Sequence, residues 1–302
     1  MASYNAAAKP AHAVFTTGSA TMHWGYNSNG FRDHRLEDAL TILHDLGYSS
    51  VALTLDHGPL NPFAADFRAA LARVRRCLMR SGMSCVVETG ARYLLDPKCK
   101  HRPTLVSPDA AERQWRVEFL KRALESAAEL AADAVSFWSG AASPDESPSS
   151  SLLVDRIRGA LDELVPHAER LQVPLALEPE PGMWIATTVD ARSWLEWFDG
   201  HHFGLTIDIG HLVCSHEPLA DVWCIARGRL KNVHIEDMHP GVHEHLPLGE
   251  GQVNFQEMFQ GLAGIGYEAG VHVELSRHSH VFPEIARHSI ERLEAHWAER
   301  LR

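Results

Sequence analysis

Glu178, Asp208, His234 and Glu274 each close a short apolar run, in PLALEPE, FGLTIDIG, KNVHIED and GVHVELS. Three carboxylates and one imidazole form a hard, oxygen-rich donor set. Such a set suits Mn²⁺ or Mg²⁺, and tolerates Co²⁺ or Zn²⁺. Taken singly, each residue has a plainer role. Asp208 can cap a helix, Glu178 can cap a turn, and the His234–Asp237 charges can face solvent. Taken together they share a register, because every run ends in a ligand type. Buried strands do not keep such groups without partners, so the four are expected to meet at one site.

More polar residues stand near these strand ends. His211 follows Asp208 by three positions, close enough to share its cavity. His243 and His245 precede the Gly249–Gly251 turn in HEHLPLGEGQVNF, which can return an imidazole over the site. Arg277 follows Glu274 and can meet an anionic or hydroxyl-rich ligand. His57, Glu88, Arg92 and Trp138, and Trp184 further on, are candidates for the pocket wall, since aromatic faces stack on sugars. The segment 88–105 reads as a long loop rich in Lys, Arg and His that can close over the site or hold an anion. Glu180 reads as a loop charge.

The elements that must position these residues alternate β then α. Eight apolar runs are candidate strands, at 12–18, 50–57, 84–90, 134–140, 174–180, 203–210, 231–237 and 270–276. Between them lie stretches of helical period at 36–47, 67–82, 108–132, 151–171, 190–198, 217–228, 254–266 and 282–301. Gly47 and Gly82 read as helix stops. Ser107 or Asp109 reads as an N-cap, with Pro108 near the first helical position. Repeated βα units give a parallel sheet with right-handed crossovers, and eight of them favour a closed α/β barrel. Catalytic residues of such barrels sit at the strand C-termini, where all four candidate ligands fall.

The chain has 302 residues, enough for one barrel domain over 1–302 with a short N-terminal tail at 1–11. Its formal net charge of −11 argues against attraction to nucleic acid or an anionic membrane. No run approaches the length of a membrane span. Five scattered cysteines without a C-x-x-C pair fit a reduced cytoplasm.

A Glu at strand five, D-x-x-H (Asp208, His211) at strand six, H-x-x-D (His234, Asp237) at strand seven, H-x-P-L-G-E-G-x-V-x-F from His245, and Glu274 at strand eight resemble the xylose isomerase-like TIM-barrel superfamily. The resemblance covers residues 174–276 in motif and most of the chain in architecture. It implies a single (β/α)8 TIM barrel and an enzyme of carbohydrate metabolism: a metal-dependent sugar isomerase or epimerase with a small carbohydrate substrate. Glu178, Asp208, His234 and Glu274 match its single-metal site, and His211 matches a histidine that contacts substrate. Glu178 and Glu274 match carboxylates that move protons on opposite faces of the sugar, through a metal-stabilised enediolate. The resemblance also implies a homo-oligomer. A dehydratase of the inosose dehydratase type would form the same enolate and expel a hydroxyl. A multi-metal hydrolase of the type-IV AP endonuclease branch fits less well. Phe137-Trp138-Ser139-Gly140 brings no His at strand four, and His243 stands where that branch has Asp. Met238-His239-Pro240-Gly241 lacks the Arg usual in ketose epimerases.

Overall fold

The computed structural model describes residues 22–58 and 60–299. Eight parallel strands close into a barrel. They are β1 (His23–Asn27), β2 (Ser50–Thr54), β3 (Ser84–Glu88), β4 (Val135–Phe137), β5 (Leu175–Leu177), β6 (Phe203–Asp208), β7 (Leu230–Ile235) and, after a hairpin, β10 (Gly270–Val273). The hairpin is β8 (Asp237–His239) with β9 (Val242–Leu246). The outer layer is α1 (Leu36–Asp45), α2 (Phe67–Ser81), α3 (Ala110–Leu130), α4 (Ser150–Leu171), α5 (Thr188–Trp197), α7 (Leu219–Ala226), α8 (Phe255–Gly264) and α9 (Glu284–Glu299). The six-residue helix α6 (Ile209–Cys214) starts directly from β6. Among the described residues no helix is long and apolar enough to cross a membrane.

Seven of the expected strands and the eight expected helices occupy their expected places. The expected first strand at 12–18 and the tail at 1–11 lie outside the described residues. The barrel position between β10 and β2 belongs to β1 instead. Its sequence, HWGYN, has no aliphatic run, which is why apolar patterning passes it over. Asp109 is the cap of α3, accepting from the Ala111 and Glu112 N–H groups, so Pro108 sits just outside the helix. Gly82 ends α2 in the left-handed region at φ 69°, as a Gly stop should.

Side chains alternate across a strand. On β2 and β3, Val51, Leu53, Cys85 and Val87 pack into the large apolar layer under the helices, while Ala52 and Val86 join Ala134 and Ala176 in a separate small cluster. The barrel interior is therefore narrow and partly polar. One hydrogen-bonded row crosses it: Ser84 Oγ donates to Ser50 Oγ, Ser50 Oγ lies 2.8 Å from His272 Nε2, and His272 Nδ1 lies 2.9 Å from Asn232 Oδ1. Asn232 Nδ2 then donates to Glu88 Oε1 at 3.0 Å. This row is the floor of the site.

The row makes two predictions. A Cβ added at Gly25 would stand 2.2 Å from His272 Cδ2, and the His272 ring is fixed by hydrogen bonds at both nitrogens. Gly25→Ala is expected to destabilise the fold by about 1–3 kcal/mol, the usual cost of overpacking. A urea midpoint equal to wild type would contradict this. The second concerns acid. Burial, with the His234 charge second, lowers the His272 pKa to about 3. Its unfolded value is near 6.5. Between those values the unfolded chain binds a proton that the folded chain does not, so stability falls as pH falls below about 6.5. From pH 6.5 to 5 this contributes a loss of about 2 kcal/mol. His272→Gln should show a shallower decline in urea titrations over that window, and an unchanged slope would refute the assignment.

Candidate active site

The strand C-termini gather the expected ligands. Asp208 and His234 stand opposite each other in the β6–β7 register. Glu178 follows β5 on the side of Ala176, and Glu274 follows β10 on the side of His272, by the period of two. One donor atom from each of Glu178, Asp208, His234 and Glu274 lies within 4.8 Å of the others. His234 Nδ1 is 3.0 Å from both Glu178 Oε1 and Glu274 Oε2. His234 Nε2 is 2.9 Å from Glu88 Oε1, at the end of β3. Nε2 meets Glu88 and Nδ1 faces the cluster, the arrangement of a carboxylate–histidine pair of the kind that orients a metal-ligating imidazole.

Asp208 uses one oxygen to cap a helix, the plainer role its sequence position offered. Oδ1 accepts the His211 N–H and caps α6. Oδ2 is buried and has no hydrogen-bond partner among the described residues, with His211 Nε2 3.6 Å away. An orphaned buried carboxylate oxygen costs free energy unless something positive meets it. Together with the converging oxygens of Glu178 and Glu274, it fits a divalent cation.

The cluster's charges are unequal. Burial pushes Glu178 up to about 7, against the pull of His234. At Glu274 burial acts in the same direction, but the His234 charge outweighs it and holds that carboxyl down to about 2. Burial opposes the His234 imidazolium, yet Glu88, Glu178 and Glu274 outweigh it and raise its pKa well above the ordinary value. Two carboxylates on one imidazole, with pKa values driven apart, is the arrangement expected of an acid–base pair.

A cavity of about 300 Å³ opens above the cluster. Its wall includes Glu88, Arg92, Trp138, His211, His245 and Arg277 among the expected pocket residues. His57 is not part of it. It is exposed and lines the neighbouring cavity. Trp184 lines neither cavity and packs edge-on against Trp194. Arg277 is mostly exposed and pairs with Glu244 at 2.7 Å. Trp138 is buried, with the Arg116 guanidinium 4.3 Å from its ring centre. From the 88–105 loop, Lys100 and His101 also reach the cavity.

Hairpin β8–β9 brings the remaining imidazoles in. Asp237 anchors it: Oδ2 accepts from Gly249 N–H, and Oδ1 from Met238 and Val253 N–H. Gly249 has φ 97°, so the tight turn read from its sequence is real. His243 Nε2 ends 3.0 Å from His211 Nε2, and His245 Nδ1 lies 3.6 Å from Glu236 Oε2. His211, His243 and His245 form a second group of donors within 4.8 Å of one another.

Sequence reasoning missed three participants. Asn29, just after β1, donates to Glu274 Oε1 at 2.7 Å and went unseen because β1 did. Asn232 tethers Glu88 and stands 3.1 Å from His234 Nε2. Its signal was the period of two from His234. Glu180 is no solvated loop charge: it lines the cavity, and burial, with Glu178 beside it, pushes its carboxyl up to about 8.

A closed parallel barrel with a carboxylate–imidazole cluster at its strand C-termini defines the class: a (β/α)8 barrel equipped for chemistry on that face. Within that class, the chain belongs to the xylose isomerase-like TIM barrel family, whose profile matches residues 40–296. It is 27% identical over 231 residues to L-ribulose-5-phosphate 3-epimerase UlaE of Shigella flexneri serotype 5b (strain 8401), covering 76% of this chain and 78% of the relative. UlaE of Salmonella heidelberg (strain SL476) is likewise 27% identical, over 229 residues, with the same coverages. Among solved structures, a D-tagatose 3-epimerase-like protein superposes with a TM-score of 0.73 at 22% identity, covering 91% of this chain and 99% of that one. An L-ribulose 3-epimerase superposes at 0.74 and 18% identity, covering 93% and 96%. At those identities the two structures speak for the fold alone.

Proposed function

We propose that this chain is a metal-dependent sugar epimerase or isomerase that moves a proton at the carbon beside a ketone. The observation that carries the reading is the convergence of Glu178, Asp208, His234 and Glu274 within 4.8 Å under a cavity large enough for a small carbohydrate. The epimerase activities named for its relatives support it.

In this reading Glu178, Asp208, His234 and Glu274 hold one divalent ion, Mn²⁺ by preference, with Glu88 orienting His234. When bound, that ion polarises the ketone and its neighbouring hydroxyl. Glu274, held ionised, takes the proton from one face of the sugar. Glu178 returns one to the opposite face. In the reverse direction the two exchange roles. Asn29 fixes the Glu274 carboxylate by its 2.7 Å hydrogen bond, so proton transfer starts from one orientation. Trp138, His211, His245 and Arg277 present the surface on which the sugar's hydroxyls are met, with Arg92 at its edge.

The test is solvent exchange. Protein loaded with Mn²⁺ is incubated with keto-sugars in D₂O, and deuterium at the carbon beside the carbonyl is followed by NMR. Epimerisation or isomerisation with deuterium uptake is the expected result. Release of water would favour the dehydratase chemistry instead, and absence of exchange across ketoses and their phosphates would sink the reading.

A further inference from the structure

A second cavity, of about 410 Å³, adjoins the first. Asn29, Thr54 and Arg92 line both. The same Asn29 that holds Glu274 therefore forms the partition, and a ligand reacting at Glu274 can extend into the second space. The two spaces differ in charge. The first is surrounded by carboxylates. The second contains Arg32, Arg92, His34 and His57 against one carboxylate, Asp56.

Its cations are poorly neutralised. The nearest approach of Arg92 to Asp56 is Nε to Oδ2 at 3.9 Å. Arg92 Nη1 is buried without a hydrogen-bond partner, and so is His34 Nδ1. Arg32 makes no ion pair among the described residues. Burial lowers the Arg92 pKa, and the Arg32 charge is the second cause. Two like charges are thus held near one another. The backbone holds Arg92 there: Ala91 and Arg92 are consecutive non-glycine residues at φ 55° and 33°, and Arg92 C=O accepts the His101 N–H. A chain of net charge −11 has no general attraction for anions, so this pair is a local exception.

We propose that Arg32 and Arg92, with His34, form a phosphate subsite, and that the substrate is a ketose phosphate whose phosphoryl end occupies this second cavity. The proposal rests on the epimerase reading for the sugar end only. Guanidinium groups bind phosphate through paired, charge-assisted N–H donors. The orphaned Arg92 Nη1 supplies a donor that nothing in the chain uses, and the orphaned His34 Nδ1 a further polar atom. The ketone end then lies over Glu178 and Glu274, and the carbon chain passes Asn29 and Thr54.

Two measurements test it on the metal-loaded full chain. The first is calorimetric titration with inorganic phosphate, for wild type and for Arg32→Ala and Arg92→Gln at equal metal content. Saturable binding is expected, weakened about 10- to 100-fold in each variant, as for loss of a charged hydrogen bond. Equal phosphate affinity in wild type and both variants would overturn the subsite. The second compares kcat/KM for a 2-ketopentose and its 5-phosphate by deuterium exchange. The phosphate is expected to be preferred, with the preference collapsing in Arg32→Ala. Equal or better use of the free ketose would overturn the substrate assignment while leaving the epimerase reading intact. Phosphate binding that needs Arg32 and Arg92, with no exchange on either sugar, would sustain the subsite and remove the epimerase reading. Urea midpoints of the variants separate lost recognition from lost folding.

Discussion

Glu274→Gln is expected to slow deuterium exchange on the ketose by about 10²–10⁴-fold, the contribution of a positioned acid–base group. The substitution keeps volume and removes charge. It also reverses hydrogen-bond polarity at one atom. In the native site both oxygens of Glu274 accept: Oε1 from Asn29 Nδ2 at 2.7 Å, and Oε2 faces His234 Nδ1 at 3.0 Å. The glutamine amide must turn an N–H toward one of those nitrogens. If it turns toward Asn29, two donors face each other and the side chain loses its fixed orientation. If it turns toward His234, the ligand set loses an oxygen. Counting metal in the variant tells the two outcomes apart. Metal retained with exchange lost assigns Glu274 to proton transfer. Metal lost with exchange lost assigns it first to the ligand set. Glu178→Gln is expected to behave alike, because the two carboxylates serve opposite faces. Exchange within about threefold of wild type in either variant would remove that residue from the chemistry.

The clustering of Glu178, Asp208, His234 and Glu274 was legible because a barrel puts every strand end on one face, so an acid or imidazole closing an apolar run has one place to go. Helices were legible for a similar reason: their apolar period is long enough to count, and Gly82 or Asp109 marks an end. Other parts lacked a local signal. β1 has His23, Gly25 and Asn27 on its inward side, chosen to make room for the His272 row rather than to bury apolar surface. Its pattern is explained only by a residue about 250 positions away. Helix α6 has six residues, too few to establish a period. Strands β8 and β9 are short, and β9 is polar, held by Asp237 through backbone N–H groups that no sequence pattern marks. Glu180 was misread because it lines the cavity beside Glu178, Glu274 and the returning His245, none of which changes the polar look of EPEPG.

His234 is where the fold and the site depend on each other most. It is 1% exposed and lies within 3.0 Å of carboxylate oxygens from Glu88, Glu178 and Glu274. Whether protonated or bound to a cation, it belongs to the positive charge that lets three acids share a buried space. His234→Ala leaves them uncompensated, and removing one partner of a buried ionic group costs about 3–5 kcal/mol. The variant is therefore expected to lose that much in urea unfolding at neutral pH. The pH dependence has a definite sign. Glu178 already stands at about 7 with His234 present, above its ordinary carboxylate value. Without His234 it can only rise further. Glu274, which His234 holds down to about 2, is released as well and rises with burial, so below about pH 6.5, where the wild-type His234 is protonated in folded and unfolded chains alike, the folded variant takes up protons that the folded wild type does not, and acidification stabilises it relative to wild type. The gap between the two proteins should narrow as pH drops to about 5. Metal gives an independent reading. A cation that binds only the folded chain stabilises it by about 2.7 kcal/mol at a free concentration 100 times its Kd. Wild type should therefore gain stability with added Mn²⁺ and lose it with chelator, whereas His234→Ala should respond to neither. An Mn²⁺-dependent shift of equal size in both proteins would place the cation elsewhere, and the acid–base reading of Glu178 and Glu274 would lose its centre.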